Sequence, residues 1–256
     1  MADHEHSGRA FVGCSGWNYK DWRGVVYPEK LPMRLWFGHY ATLFDTVEIN
    51  NTFYRLPPPT TTEAWEAQAP DGFVYALKLG QFGSHRMKLN DAASWLPNHL
   101  DRVERLKDHL GPTLVQLPPR WKRNPERLDE FLSVAPKHLR WAVEMREESW
   151  LHDDIFDVLR RHDAALCIHD LLPDHPWIRT TDWSYVRFHG PNALKEKYLG
   201  LYGPERLEPT AVRLEEWLGE GCDVYAYFNN DWYGHAVTDA RWLAQRLGVP
   251  QPVATM

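Results

Sequence analysis

The chain has 256 residues, 43% hydrophobic and 25% charged, which is the usage of a globular protein and not of a disordered or collagen-like one. No apolar run approaches the roughly 18 residues that cross a bilayer, and the start Met1-Ala2-Asp3-His4-Glu5 lacks the basic and apolar regions of a signal peptide. A cytoplasmic protein with no membrane partner is therefore expected. The net charge of −6 argues against a protein that coats nucleic-acid duplexes but leaves room for a local basic patch.

In chain order, the first apolar run is Phe11 to Cys14, followed by a helical pattern over Arg34 to Phe44. A second strand over Thr46 to Ile49 leads into the stiffening Pro57-Pro58-Pro59 and a helix over Thr62 to Gln68. The third strand, Phe73 to Leu77, precedes a helix at Leu100 to Leu110, and the fourth, Thr113 to Leu117, runs into Pro118-Pro119 and a helix at Glu126 to Val134. Strand five is Trp141 to Met145, with a helix at Ile155 to Arg161, and strand six is Ala165 to Ile168. Strand seven, Tyr185 to Phe188, and strand eight, Val224 to Phe228, are each followed by a helix, at Glu205 to Leu218 and Ala236 to Leu247.

Strand alternating with helix implies parallel pairing through crossovers. Eight such units in this length fit an α/β fold of the TIM-type (β/α)8 barrel, expected as one domain over 1–256 with its core at about 11–247. The repeat is irregular between strands six and seven, where Asp170 to Thr181 holds Pro173 and Pro176 and is too short for a crossover helix. A doubly wound open sheet is the alternative, weakened by the lack of a GxGxxG fingerprint after any strand. Cys14, Cys167 and Cys222 are widely spaced and odd in number, and they read as buried free thiols.

Barrel enzymes build their sites at the C-terminal ends of the strands, and here those ends are polar. Period-2 alternation puts Glu48 and Asn50 on one face of strand two, Glu144 and Arg146 on one face of strand five, and Tyr185, Arg187 and His189 on one face of strand seven. Strand three ends in Lys78, strand four in Gln116, strand six in His169-Asp170 and strand eight in Asn229-Asn230-Asp231. So many charges converging on one mouth are costly as scaffolding and are better explained by a ligand. The segments following the strands sum to +2, against −8 for the rest of the chain, which favours an anionic ligand. The run Arg120-Trp121-Lys122-Arg123 is the densest basic stretch, and Trp17, Tyr19, Phe53, Tyr54 and Trp150 add aromatic faces suited to sugars or bases.

Cys14-Ser15-Gly16-Trp17-Asn18-Tyr19 with Trp22 and Gly24, and Val47-Glu48-Ile49-Asn50-Asn51-Thr52-Phe53-Tyr54, resemble the opening motifs of the YecE-like family, domain of unknown function 72. Lys78 with His85, Gln116-Leu117-Pro118-Pro119, Val143-Glu144-Met145-Arg146 with Trp150, Asp170, Arg187-Phe188-His189-Gly190 and Phe228-Asn229-Asn230 continue the resemblance in order, over roughly residues 11 to 247. It implies a TIM-type barrel with a polar pocket at its mouth, and it brings in a nucleic-acid role akin to an abasic-site endonuclease. Ser84 departs from the pattern, which has Thr before the histidine.

The reading that follows is a pocket that binds or hydrolyses a phosphate-bearing sugar or nucleotide. Glu48, Lys78, Glu144, Asp170 and His189 are the catalytic candidates. Trp17, Tyr19, Asn50, Tyr54, His85, Gln116, Arg146, Trp150, Arg187, Asn229 and Asn230 are the ligand-binding candidates, with the anion expected on Arg187, His189 and Lys78. No organic cofactor is indicated and no metal ligands are assigned, although Glu48, Glu144, His169, Asp170 and His189 are chemically able to hold a divalent ion. The alternatives are a metal-dependent, endonuclease-like enzyme acting on nucleic acid and a ligand-binding module without turnover.

Overall fold

In the computed structural model, which describes residues 7–250 and 252, eight strands alternate with helices. They are β1 (Ala10–Cys14), α1 (Trp36–Tyr40), β2 (Thr46–Ile49), α2 (Asn51–Tyr54), α3 (Pro59–Gln68), β3 (Val74–Lys78), α4 (Ala92–Val103) and β4 (Leu110–Gln116). Then follow α5 (Pro125–Val134), β5 (Trp141–Glu144), α6 (Asp153–Arg161), β6 (Ala165–His169), β7 (Trp183–Phe188), α7 (Gly203–Gly219), β8 (Asp223–Phe228) and α8 (His235–Arg246). The sheet order is β1-β8-β7-β6-β5-β4-β3-β2. A sequential order with no reversal is that of the TIM-type (β/α)8 barrel and excludes the doubly wound alternative, whose order turns back at a switch point.

The chain divides into two compact units, one holding the residues up to Val47 and from Asp182 onward, the other Glu48–Thr181. In the second unit β3, β4, β5 and β6 pair in parallel, and the register sets Gln116 beside Glu144. Its core gathers Trp95, Phe131, Trp141, Trp150 and Leu159 with their aliphatic neighbours. Local chemistry fixes the helices around it. Pro125 opens α5 after Asn124, whose side chain accepts from the Arg127 N–H at 2.8 Å. Asp153 and Asp154 lie in the first turn of α6, and Arg160 and Arg161 in its last, as the helix dipole favours.

In the first unit β1 pairs with β8 and β8 with β7. Phe188 and Phe228 stack on the outward faces of β7 and β8, 4.3 Å between ring centres, and leave the alternate positions for polar side chains. Gly13 of β1 is required by close approach: a Cβ there would lie 2.4 Å from the Thr46 carbonyl oxygen. The three cysteines are free and buried, as expected.

Several expected boundaries move. The helix expected at Leu100 to Leu110 is instead α4, which starts at Ala92 and buries Trp95, Leu96, His99 and Val103 along one face. A short 3₁₀ segment follows, broken at Lys107, whose φ of 50° no helix accommodates, and β4 begins at Leu110. The first helix is cut to Trp36–Tyr40. Between β6 and β7 there is no helix, as the short Pro-containing stretch implied. Thr180 pins that connection by accepting from the Leu166 N–H at 2.9 Å and donating to the Ala164 carbonyl at 2.6 Å. Among the described residues no helix is long and apolar enough to cross a membrane.

Candidate functional site

The polar strand ends of the second unit include two contact groups, one around Glu144 and one around Lys78. On β5 the alternation holds: Glu144, fully buried, pairs with the guanidinium of Arg146 two residues on. The β4–β5 register brings Gln116 alongside, and its Oε1 accepts from Arg146 Nη2 at 3.0 Å. A buried carboxylate demands such a partner, because an uncompensated charge in this position costs several kcal/mol, about 3 to 5.

Lys78 closes β3 and is 8% exposed. Its ammonium stands 4.2 Å from the centre of the Phe53 ring. That placement comes from Thr52, whose hydroxyl donates to the Lys78 carbonyl at 2.6 Å and to the Ile49 carbonyl at 3.1 Å, fastening the short α2 to the ends of β2 and β3. Phe53 also meets His85 edge to face at 4.9 Å. His85 lies on a π-helical turn, Phe82–Arg86. Such turns are rare and occur often at functional sites.

The Ser84 hydroxyl lies 3.2 Å from the Gly80 carbonyl and 3.0 Å from His85 Nδ1, and so fixes the orientation of the His85 ring. Burial pushes the His85 pKa down, and the cations Lys78 and Arg146 push it further, against an opposing pull from Glu144. Two cations from two strands reach one half-buried imidazole.

Glu48 is fully buried at the end of β2, while Asn50 and Asp170 are partly exposed at the ends of β2 and β6. His169 has both ring nitrogens engaged by backbone: Nε2 donates to the Met145 carbonyl at 2.7 Å, and Nδ1 accepts from the Leu171 N–H at 3.1 Å. Tyr54 is 71% exposed. Trp150, expected to touch ligand, is fully buried in the core with its indole N–H on the Trp121 carbonyl, so its placement is structural. The basic run after β4 is largely answered by acids: Lys122 bonds Glu147 at 2.6 Å and Arg123 lies 3.7 Å from Asp154.

The first unit holds a polar network of its own residues. Arg187 Nη1 donates to His189 Nε2 at 3.1 Å, which places the His189 proton on Nδ1 because a guanidinium only donates. With its amide suitably turned, Asn229 accepts from Arg187 Nη2 at 3.3 Å and donates to Asp231 at 3.1 Å. Asn230 donates to the Gly200 carbonyl and to Asp239, both at 2.8 Å, and so ties down the loop before α7. Tyr19 donates to the Ser15 carbonyl at 2.6 Å, and the Trp17 carbonyl accepts from Tyr27 at 2.5 Å. Among the described residues no three His, Cys, Asp or Glu side chains group as a metal site.

The family model for a protein of unknown function, DUF72, matches residues 11–255. The chain belongs to the DUF72 family. UPF0759 protein YunF of Bacillus subtilis is 25% identical over 93% of this chain and 95% of its own length. UPF0759 protein YecE of Escherichia coli is 28% identical over 53% of this chain and 48% of its own. A crystal structure of a DUF72 family protein of Thermotoga maritima, TM1631, matches with a TM-score of 0.83 at 28% identity, covering 94% of this chain and 99% of that one. A second DUF72 structure, EF0366 of Enterococcus faecalis, shares the fold with a TM-score of 0.76 at 19% identity.

Phe53 is the site residue that the strand-end pattern does not single out, because α2 is a single turn with no periodicity to reveal it.

Proposed function

We propose that this DUF72 protein binds a phosphate-bearing small molecule, a sugar phosphate or a nucleotide, at the ends of β3 and β5. Lys78 and Arg146 attract the phosphate, and the His85 ring takes up a proton as ligand binds or a water attacks. The observation that carries this reading is the Phe53 ring, which holds the Lys78 ammonium 4.2 Å from its centre and meets the half-buried His85 ring at 4.9 Å, with Lys78 and Arg146 both lowering the His85 pKa. A neutral imidazole with an available lone pair, next to two fixed cations, suits general-base work on an anion. Phe53 offers the aromatic face. Glu48 and Asp170 are the carboxylates proposed for a second proton transfer. Because Arg187 is held by His189 and Asn229 within its own unit, the reading rests on Lys78 and Arg146 rather than on Arg187.

The test is calorimetric. Adenosine 5′-monophosphate and glucose 6-phosphate are compared with adenosine and glucose on the wild type and on Lys78→Met. Loss of one charge-assisted contact should weaken the phosphorylated ligands by about 10- to 150-fold and leave the others alone. Equal binding of phosphorylated and plain ligands by both proteins contradicts the reading. Following the same mixtures for released inorganic phosphate separates a hydrolase from a module that only binds.

A further inference from the structure

In the first unit α8 borders a groove of about 900 Å³, a size that takes a small-molecule ligand. Val25, Val26, Leu43, Val237 and Val249 supply its aliphatic surface, and Trp242 adds an indole. The loop that carries the first two valines is fastened in place. The Val26 N–H donates to the Trp22 carbonyl at 2.8 Å, and the Trp22 indole N–H donates to the Asp231 carbonyl at 2.7 Å, just before α8. Gly234, at a φ of 74°, lets the start of α8 approach that loop: an added Cβ would lie 3.2 Å and 3.0 Å from methyl groups of Val25 and Val26. Val25 is 65% exposed, apolar surface that a seated chain would cover.

The charge of the groove has one sign. Its ionisable side chains are Arg241 and His39, and no Asp or Glu lines it, in a chain whose net charge is −6. Five residues further along α8, Arg246 is held by Glu208 at 2.9 Å and by Glu215 at 3.2 Å. Among the described residues Arg241 has no hydrogen bond or ion pair, and the indole N–H of the adjacent Trp242 has no acceptor. Neither side chain is sealed off, since Arg241 is exposed and Trp242 half-buried. A guanidinium offers the two parallel donors that a carboxylate accepts. A sugar phosphate would set hydroxyls against the valines, where they find no partner, whereas an aliphatic chain gains by covering them.

We infer that this groove binds a small amphiphilic carboxylate, its aliphatic chain lying on the valines and its carboxylate on Arg241. The site shares no residue with the proposed phosphate site.

The probes are octanoate, octan-1-ol and acetate, titrated below micelle-forming concentrations into the full chain. The Trp242 indole N–H resonance, assigned with Trp242→Phe, is followed by NMR. Octanoate and octanol share the chain and differ in charge, so their ratio reads the Arg241 contact. The wild type should bind octanoate roughly 2- to 12-fold more tightly than octanol, the range of one hydrogen-bonded contact, and should bind acetate more weakly than either. Arg241→Gln, at an exposed position, should lose the preference for octanoate. Val25→Asp, also exposed, removes apolar surface and brings in an acid, and it should abolish octanoate binding. The inference is overturned if the wild type binds neither octanoate nor octanol, if acetate binds as tightly as octanoate, if Arg241→Gln keeps the preference, or if Val25→Asp binds octanoate as the wild type does.

Discussion

The Lys78 ammonium rests 4.2 Å from the centre of the Phe53 ring, so the cation delivered by β3 is held over an aromatic face. A contact of this kind is worth about 0.5 to 2 kcal/mol, more when desolvated. Phe53→Leu keeps an apolar filler but removes the ring quadrupole. It should weaken adenosine 5′-monophosphate by about 2- to 30-fold in calorimetry, and adenosine as well, because the same ring is the aromatic face offered to the base.

Arg146→Met should destabilise the fold by about 3 to 5 kcal/mol, because it leaves Glu144 buried without its counter-charge. Urea unfolding followed by tryptophan fluorescence measures this. A loss under 1 kcal/mol would mean that Glu144 is neutral or answered equally well elsewhere.

Acid should weaken the protein through His99. Its pKa is lowered from 6.5 to about 4 by burial, so between those values the unfolded chain binds more protons than the folded one. Stability therefore falls as the pH drops from 6.5 towards 4, by on the order of 3 kcal/mol from this group alone. His85 and His175, both with pKa values lowered first by burial, act in the same direction. Urea midpoints measured from pH 7 to 4.5 should slope less in His99→Leu than in the wild type.

The strands were legible in the sequence because they are buried on both faces and read as short apolar runs. β2 was placed to the residue, and β6 ends one residue later than expected, at His169. Alternation was enough to pair Glu144 with Arg146 and to set Arg187 with His189. The helices were less legible. Pro97 lies inside α4, where proline ordinarily argues against a helix, and the face formed by Trp95, Leu96, His99 and Val103 is recognised only once Pro97 is tolerated. The strand ends named the charged residues of the candidate site but not Phe53, whose position depends on a tertiary bond, the Thr52 hydroxyl on the Lys78 carbonyl. Trp150, in a polar loop by sequence, is buried in the core.

Gly13→Ala tests the close approach of β1 to Thr46. With its Cβ 2.4 Å from a backbone oxygen the strands must part, and a cost of about 1 to 3 kcal/mol is expected in thermal unfolding. Gly72→Ala is a poor control because its φ is 75°; Gly38→Ala, with nothing within 4 Å of the added Cβ, is the suitable one.

The protonation of His85 reports most directly on whether Lys78 and Arg146 form an anion site. With histidine-labelled protein and His85→Gln to assign the signal, His85 should titrate below the ordinary histidine range in the free wild type, owing to burial, Lys78 and Arg146. Saturating adenosine 5′-monophosphate should raise its pKa, since a bound phosphate offsets the two cations, while adenosine should not. In Lys78→Met the free value should move up and the response to the nucleotide should shrink. A His85 titration that adenosine 5′-monophosphate and adenosine leave equally unmoved would contradict the phosphate site.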